Sequence, residues 1–554
     1  MATTVVSLFK HDLNQVGTHT ESSRHKQERR HVIWFITALT ALAFFIHGYH
    51  PFAEDGGLYL TGVKKSLTPD MYPHETGFVL GHLRFSVFGP ALASLVRLTG
   101  IKLEIVVLLV YLASIWTMLW AAWLLANRCF QGWQRIGAVT LFATWLTLPV
   151  AGTSLMVMDP YVTARSISTP CVLLAIVFAL DLFMQRDEGG EHNRRTLLAL
   201  GIVLLLAAIM HPLMAAYGLG CLLALGGSLS RRKSIWLLTT FAFCAAAITV
   251  AALLSRMMQP ETADYRLVAM TRYYWFLNQW HWYEWLGLAG PLVILSLAGF
   301  KSQRLGETAQ TLARMCVTAG LAATLVAVIF ARTDSSSLLI ARLQPLRIFQ
   351  TLYIVMTLYV GAWISSYFGP KRIRWIGTFS LFASIMFFVQ RQTFPASAHI
   401  ELFQRQQQNE WAQAFTWIRG NTPKDALFAL DADYITKPGE DAQSFRAIAE
   451  RSALPDYSKD GGEASITPSL AEQWMVGQKL QERLSEQNDA EKVSELRPMG
   501  VQWVVLTKGA STGLVCPYVN STVKVCQLLT EKPSRDLSIS SNKQTPRISF
   551  PQSH

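Results

Sequence analysis

The chain is poor in charge and in cysteine. Only 16% of its 554 residues are Asp, Glu, Lys or Arg, below the roughly one quarter of an ordinary soluble domain, so a long solvated or disordered protein is excluded. It holds seven cysteines and no Cys/His cluster with zinc-site spacing, which excludes a small disulfide scaffold and a structural zinc module. Segments of strand-type alternation, which a membrane barrel needs, are absent. No small-residue cleavage site follows a short apolar region near the start, so the first apolar run reads as a span and not as a cleaved leader.

Apolar length is what the chain has in abundance. Hydrophobic residues make up 51% of it, and stretches near the ~20 residues that cross a bilayer recur between short polar breaks. The pattern predicts about eleven transmembrane helices, over 33–48, 103–126, 135–151, 169–185, 196–210, 212–228, 235–254, 285–300, 312–331, 348–367 and 374–391. Helices satisfy their own backbone groups inside lipid, so a helical bundle is the expected architecture. Segment 85–101 is short and contains Gly89, Pro90 and Arg97; it reads as an interfacial or re-entrant helix. The net charge of +12 belongs in cytoplasmic loops of such a protein, and nucleic-acid binding is set aside.

Lysine and arginine predict the orientation. "RHKQERRH", "NRCFQGWQR", "QRDEGGEHNRR", "SRRKS", "KSQR" and "GPKRIR" fall on one side of eleven spans, which is then cytoplasmic. The domain plan is a basic cytoplasmic tail 1–32, a transmembrane bundle 33–391 with a first outer loop 49–102, an outer domain 392–530 and a disordered tail 531–554. After residue 391 an amphipathic helix ends near Gly420, and "ALFAL", "VQWVVLTKG" and "STVKVCQLL" read as strands. A soluble α/β domain of about 150 residues follows. Within it Cys516 and Cys526 lie where an oxidising compartment would permit a disulfide; spacing leaves the pairing open. The other five cysteines read as small apolar residues of the spans.

The sequence "HPFAEDGGLYL" places Glu54 and Asp55 where the first span leaves the lipid. A solvated turn at the two glycines is one reading. The other is functional, because the pair is flanked by His47, Tyr49, His50, Phe52 and Tyr59 and stands at membrane depth, where ionisable groups are functional candidates. In an extended loop the two carboxylates would point in different directions.

An acidic "AED" in the first outer loop, a bundle of about eleven spans, an amphipathic segment and a C-terminal outer domain together resemble the GT-C superfamily of membrane glycosyltransferases. "WIRGNTPKDALFALD" is similar to a segment after the last span of bacterial GT-C-like proteins, whereas the oligosaccharyltransferase signature "WWDYG" is missing. The resemblance implies an inverting transferase of the bacterial inner membrane. It would move a sugar from a polyprenyl-phosphate carrier to an envelope lipid, glycan or protein on the periplasmic side.

That chemistry needs a carboxylate to take the acceptor's proton and cations to hold the leaving phosphate. Asp55 is the expected base, with Glu54 orienting it or sharing a divalent Mg or Mn ion with it. For the phosphate, Arg342 and Arg347 flank Pro345 at a helix entry, a position suited to anions. Arg165, with Asp159 beside it, is a second wall or a structural ion pair, and His211 lies at an outer helix turn. His74, His82 and Arg84, near Glu75 in the first outer loop, are acceptor-binding candidates or solvated residues. The aromatic run 273–285 reads as an interfacial belt. A transporter or flippase for lipid-linked saccharides is the alternative class, although no internal repeat of the kind such proteins use is visible; a non-catalytic membrane scaffold is the third.

Overall fold

The computed structural model describes residues 18–184, 190–258, 261–301, 305–368, 371–402 and 408–528. Among these, nine helices are long and apolar enough to cross a membrane: Gln27–His47, Leu103–Cys129, Arg165–Met184, Asn193–Met210, Lys233–Met257, Trp282–Phe300, Glu307–Phe330, Leu339–Phe368 and Ile373–Thr393. The protein is a polytopic helical membrane protein with a sheet-containing C-terminal domain. The expected tail 531–554 and part of the basic tail 1–32 lie outside the described residues.

Among the described residues nine helices meet the length for a span, or ten if the bent pair Thr76–Phe85 and Phe88–Thr99 is one span, against about eleven expected, and the difference has local causes. The expected span 135–151 is a helix only over Trp133–Thr144, which at 1.5 Å per residue is about 18 Å long, short of the roughly 30 Å of hydrocarbon. Beyond it the chain turns at Gly152, whose φ is +66°, and Pro149–Val150 (β1) pairs antiparallel with Leu155–Met156 (β2). Pro212–Ser228 is apolar but reaches only 17 residues. Helices Thr76–Phe85 and Phe88–Thr99 meet at 94°, a bend in keeping with an interfacial or re-entrant segment.

Small residues let the helices approach. A Cβ on Gly137 would lie 1.6 Å from the Ser365 hydroxyl, and one on Gly361 would lie 2.5 Å from the Gly137 carbonyl. The Trp133–Thr144 and Leu339–Phe368 helices therefore cross backbone to backbone. Helix Leu339–Phe368 is largely enclosed, whereas Asn193–Met210, Lys233–Met257 and Ile373–Thr393 sit at the periphery.

The C-terminal domain holds a five-stranded sheet of order β4-β3-β5-β7-β6: β3 is Leu427–Ala429, β4 Ser452–Ala453, β5 Trp503–Thr507, β6 Val515–Val519 and β7 Val523–Gln527. Strand β3 runs parallel to β4 and β5, while β7 lies antiparallel between β5 and β6. Alternation along each strand sends side chains to opposite faces. Leu427, Ala429, Val504, Leu506 and Cys526 pack with Leu484 and Leu496 on one face. On the other, Phe428, Trp503, Val505 and Val525 pack with Trp411, Phe415 and Phe445, in a core continuous with the membrane body. Cys516 and Cys526 are bonded across β6 and β7.

Residues packed on this second face clasp the segment after the first span. Ser444 N–H donates to the Phe52 carbonyl at 2.9 Å, and Glu54 N–H donates to the Ala442 carbonyl at 2.8 Å. Tyr72 Oη donates to the Arg446 carbonyl at 2.9 Å, and the Lys64 ammonium bonds the Ala447 carbonyl at 2.7 Å and Glu450 at 2.6 Å. His50, stacked on Phe394, bonds Glu401 at 2.7 Å. The C-terminal domain is thus built onto the segment that carries the acidic pair.

Candidate functional site

Glu54 and Asp55 do not lie in an extended loop: they open the helix Glu54–Leu67. Glu54 has a φ of +51°, unfavourable for a residue with a side chain, and its bond to Ala442 holds it there. The following glycines are demanded by close packing rather than by a turn. A Cβ on Gly56 would stand 2.8 Å from Tyr161 Cβ, and one on Gly57 would stand 2.2 Å from Ser444 Cβ and 2.4 Å from the Phe52 carbonyl.

Both Asp55 oxygens face cations. Arg165 Nη2 donates to Oδ2 at 2.9 Å and Lys459 Nζ donates to Oδ1 at 3.2 Å; Lys459 also pairs with Glu54. Arg165, buried at the start of its span, bonds Asp159 at 3.0 Å through the same nitrogen. Lys459 is the first residue of helix Lys459–Ile466, where its N–H donates to Asp456 at 2.6 Å. Asp456 N–H in turn donates to Asp460 at 2.8 Å, and Asp460 accepts from Arg446 at 2.7 Å. One charged chain therefore runs from the membrane body through Asp55 into the core of the C-terminal domain.

Burial raises the proton affinity of Asp55, but Lys459 and Arg165 overcome it and hold the carboxyl well below the usual range. Burial disfavours the Lys459 ammonium, and Glu54 and Asp55 reverse that, keeping it protonated. Deeper in, burial and the neighbouring Asp460 push Asp456 up to about 7. Burial likewise raises Asp159, against the opposing pull of Arg165.

Arg347 and His211 belong to the same surroundings. His211 caps helix Pro212–Ser228 by accepting from Met214 N–H at 3.3 Å, and it lies within electrostatic reach of Arg165, Arg347 and Asp55. Arg347 sits in the turn Pro345–Ile348, and its Nε is buried without a hydrogen-bond partner. Tyr59, one turn after Asp55, feels Arg165, Asp55, Glu463 and Arg347. Helices beginning at Glu54, Arg165, Pro212 and Lys459 thus direct their N-terminal ends, with their partial positive charge, into one region.

Of the expected residues, Asp55, Glu54, Arg165, Arg347 and His211 come together, and His82 joins them through Glu463, to which its Nδ1 bonds at 2.6 Å. Arg84 is exposed but acts on Glu463 electrostatically. His74 is exposed and attached elsewhere, its N–H donating to Ser452 at 3.1 Å. Arg342 turns to Tyr265. Lys459 and Glu463 were not anticipated. The signal for them is "SKDGGE", which repeats the Asp-Gly-Gly of "AEDGG" at the opening of a second helix.

The residues do not suit a divalent ion at Glu54 and Asp55. Lys459 and Arg165 already occupy the carboxylates, and among the described residues no group of three His, Cys, Asp or Glu side chains is placed to hold a metal.

No family model matches the chain, and no curated protein matches it. Among solved structures, the apo oligosaccharyltransferase of Archaeoglobus fulgidus aligns with a TM-score of 0.46 at 11% identity, over 85% of this chain and 69% of that one. The same organism's enzyme AglB in complex with an inhibitory peptide and a dolichol-phosphate aligns at 0.40 and 11%, over 85% and 69%. The form complexed with Zn and sulfate aligns at 0.38 and 12%, over 85% and 68%. At these scores and identities the likeness decides nothing about chemistry, which has to come from this chain's own side chains.

Proposed function

We propose that the protein is a membrane glycosyltransferase that takes a sugar from a polyprenyl-phosphate carrier and places it on an envelope lipid, glycan or protein at the periplasmic face of the bacterial inner membrane. The observation that carries this reading is the set of cations Arg165, Arg347 and Lys459 gathered with Asp55 where several helices begin. A phosphate entering this region meets guanidinium groups able to grip it with paired bonds and helix ends that favour an anion. Holding the negative charge that grows on the leaving phosphate is the main requirement of the transfer, and it needs donors already fixed in place.

Asp55 and Asp159 supply that fixing. Both pair with Arg165, and together they orient it from two sides. A donor phosphate competes with Asp55 for Lys459, so the cation can change partner as the donor enters. Asp55 itself is a poor proton acceptor while both its oxygens face cations, because a general base works best with a pKa near the working pH. This departs from the expectation that Asp55 is the base; inversion is inferred from the resemblance of "AED" to the GT-C pattern.

The test compares envelope glycans and lipid-linked sugars in a deletion strain carrying wild-type chain or Asp55→Asn at matched membrane abundance. Loss of a glycan that only the wild type restores supports the transferase and identifies the sugar. Restoration by both versions refutes the role given to Asp55 and favours a transporter or scaffold.

A further inference from the structure

We propose that His82, oriented by Glu463, accepts the hydroxyl proton of the acceptor in the transfer step, a role that rests on the transferase reading above. The transfer needs a base, and Asp55 is held as an anion between two cations. His82 Nε2 is buried and has no hydrogen-bond partner, whereas Nδ1 is fixed on Glu463 Oε2 at 2.6 Å. A carboxylate on Nδ1 takes that N–H and leaves the lone pair on Nε2, the tautomer a base requires.

Several contacts hold the pair in place. Glu463 also accepts from Thr467 Oγ1 at 3.0 Å. A Cβ on Gly81 would fall 1.8 Å from Glu463 Oε1, so only glycine lets the backbone before His82 press against this carboxylate. The His82 ring lies 5.4 Å from the Tyr59 ring. Burial pulls the imidazole toward neutrality, and the charge and hydrogen bond of Glu463 outweigh it and raise its proton affinity. The groups facing it are Glu463 and Asp460 from helix Lys459–Ile466, and Asp55 and Tyr59 from helix Glu54–Leu67; Arg84, on its own segment, acts on Glu463.

The placement separates the two ends of the reaction. Asp55 and Tyr59 are one turn apart on one helix, as Lys459 and Glu463 are on the other, which is about 6 Å of rise. Phosphate held by Lys459 and Arg165 and a hydroxyl held by His82 would thus stand on either side of the sugar carbon. The acceptor oxygen forms its bond to that carbon as the carbon–oxygen bond to phosphate breaks and its electron pair leaves with the phosphate. The acceptor's O–H bond breaks at the same time and its proton goes to His82 Nε2. Screening of Nε2 from solvent keeps water from intercepting the sugar.

The experiment measures release of undecaprenyl phosphate or undecaprenyl diphosphate by full-length protein in detergent from a panel of undecaprenyl mono- and diphosphate sugars respectively, with membrane extract as acceptor, between pH 5 and 9. Binding of undecaprenyl phosphate alone is measured in parallel. Wild-type turnover is expected to fall as pH drops through the imidazole range. His82→Gln should lose about 10²-fold or more in turnover while still binding undecaprenyl phosphate. Glu463→Gln, which removes the charge that raises the imidazole, should move the acid limb to lower pH, and it serves as the test should His82→Gln not fold. Wild-type turnover together with an unchanged profile in Glu463→Gln, or full turnover in His82→Gln, overturns the assignment alone. Loss of undecaprenyl phosphate binding in a folded His82→Gln overturns it in favour of a structural role. Absence of wild-type turnover on every donor overturns the transferase reading and the assignment with it.

Discussion

The pairing of Lys459 with Asp55 joins the C-terminal domain to the helix Glu54–Leu67, and its strength can be measured by a double-mutant cycle of Lys459→Met and Asp55→Asn. At 3.2 Å, two unit charges interact by roughly 5 kcal/mol at an effective dielectric near 20. The Asp55 side chain is 30% exposed and that of Lys459 17%, so solvent screens part of this, and Lys459 keeps Glu54 as a second partner. The coupling expected between the two substitutions is therefore about 1–3 kcal/mol. Asp55 has a depressed pKa, so its contribution is present above the unfolded carboxylate value and lost as pH falls through the folded one; pH 7 lies safely in the stable window. Denaturant unfolding in detergent, followed by tryptophan fluorescence, gives the four stabilities at that pH. Single substitutions that add to within about 0.5 kcal/mol would refute the claim that this contact links the two parts.

Other expectations follow from neighbouring contacts. Arg165→Met leaves Asp159 buried without its cation and should cost about 3–5 kcal/mol, read as a large fall in melting temperature. Gly57→Ala should separate the outer domain from the membrane body, seen as new protease sites around 439–444, and Ser444→Gly should not restore it because the Phe52 carbonyl at 2.4 Å remains in the way. Gly77→Ala, whose Cβ would meet only a flexible Leu470 methyl at 2.7 Å, should be tolerated in the same assay. Asp456, pushed up to about 7, makes the folded state less stable as pH rises from the ordinary carboxylate value toward 7; Asp456→Asn should flatten that dependence in a melting series. Replacing both Cys516 and Cys526 by serine should cost the outer domain about 3 kcal/mol, measured by the same unfolding titration.

The spans were readable because an unbroken apolar stretch of that length suits little besides lipid, and the sheet was readable where β-branched runs met turn residues, as at β5 and β7. The failure at 135–151 has the same source: apolarity continues past Thr144, although the backbone leaves the helix and turns at Gly152. Strand β4 has two residues, too few for any period. At the site, Asp55, Arg165, His211 and Arg347 stood out as ionisable groups beside apolar helix ends. Lys459 did not, because "YSKDGGEAS" looks like any polar loop and its partner lies 404 residues away. His74 and Arg342 had the same local appearance as the residues that converge; only the fold turns them elsewhere.

That separation along the chain gives the protein a sense of timing. Asp55 emerges early in synthesis, and the lysine that completes its surroundings is translated roughly 20–80 s later at 5–20 residues per second. Until then the acidic pair has Arg165 at most for company. A chain released early, or clipped after its last span, would reach the membrane with its helices inserted and its charge arrangement unfinished. The C-terminal domain therefore acts as a check that synthesis has gone well past the last span, since the cation set is assembled only once Lys459 has been made.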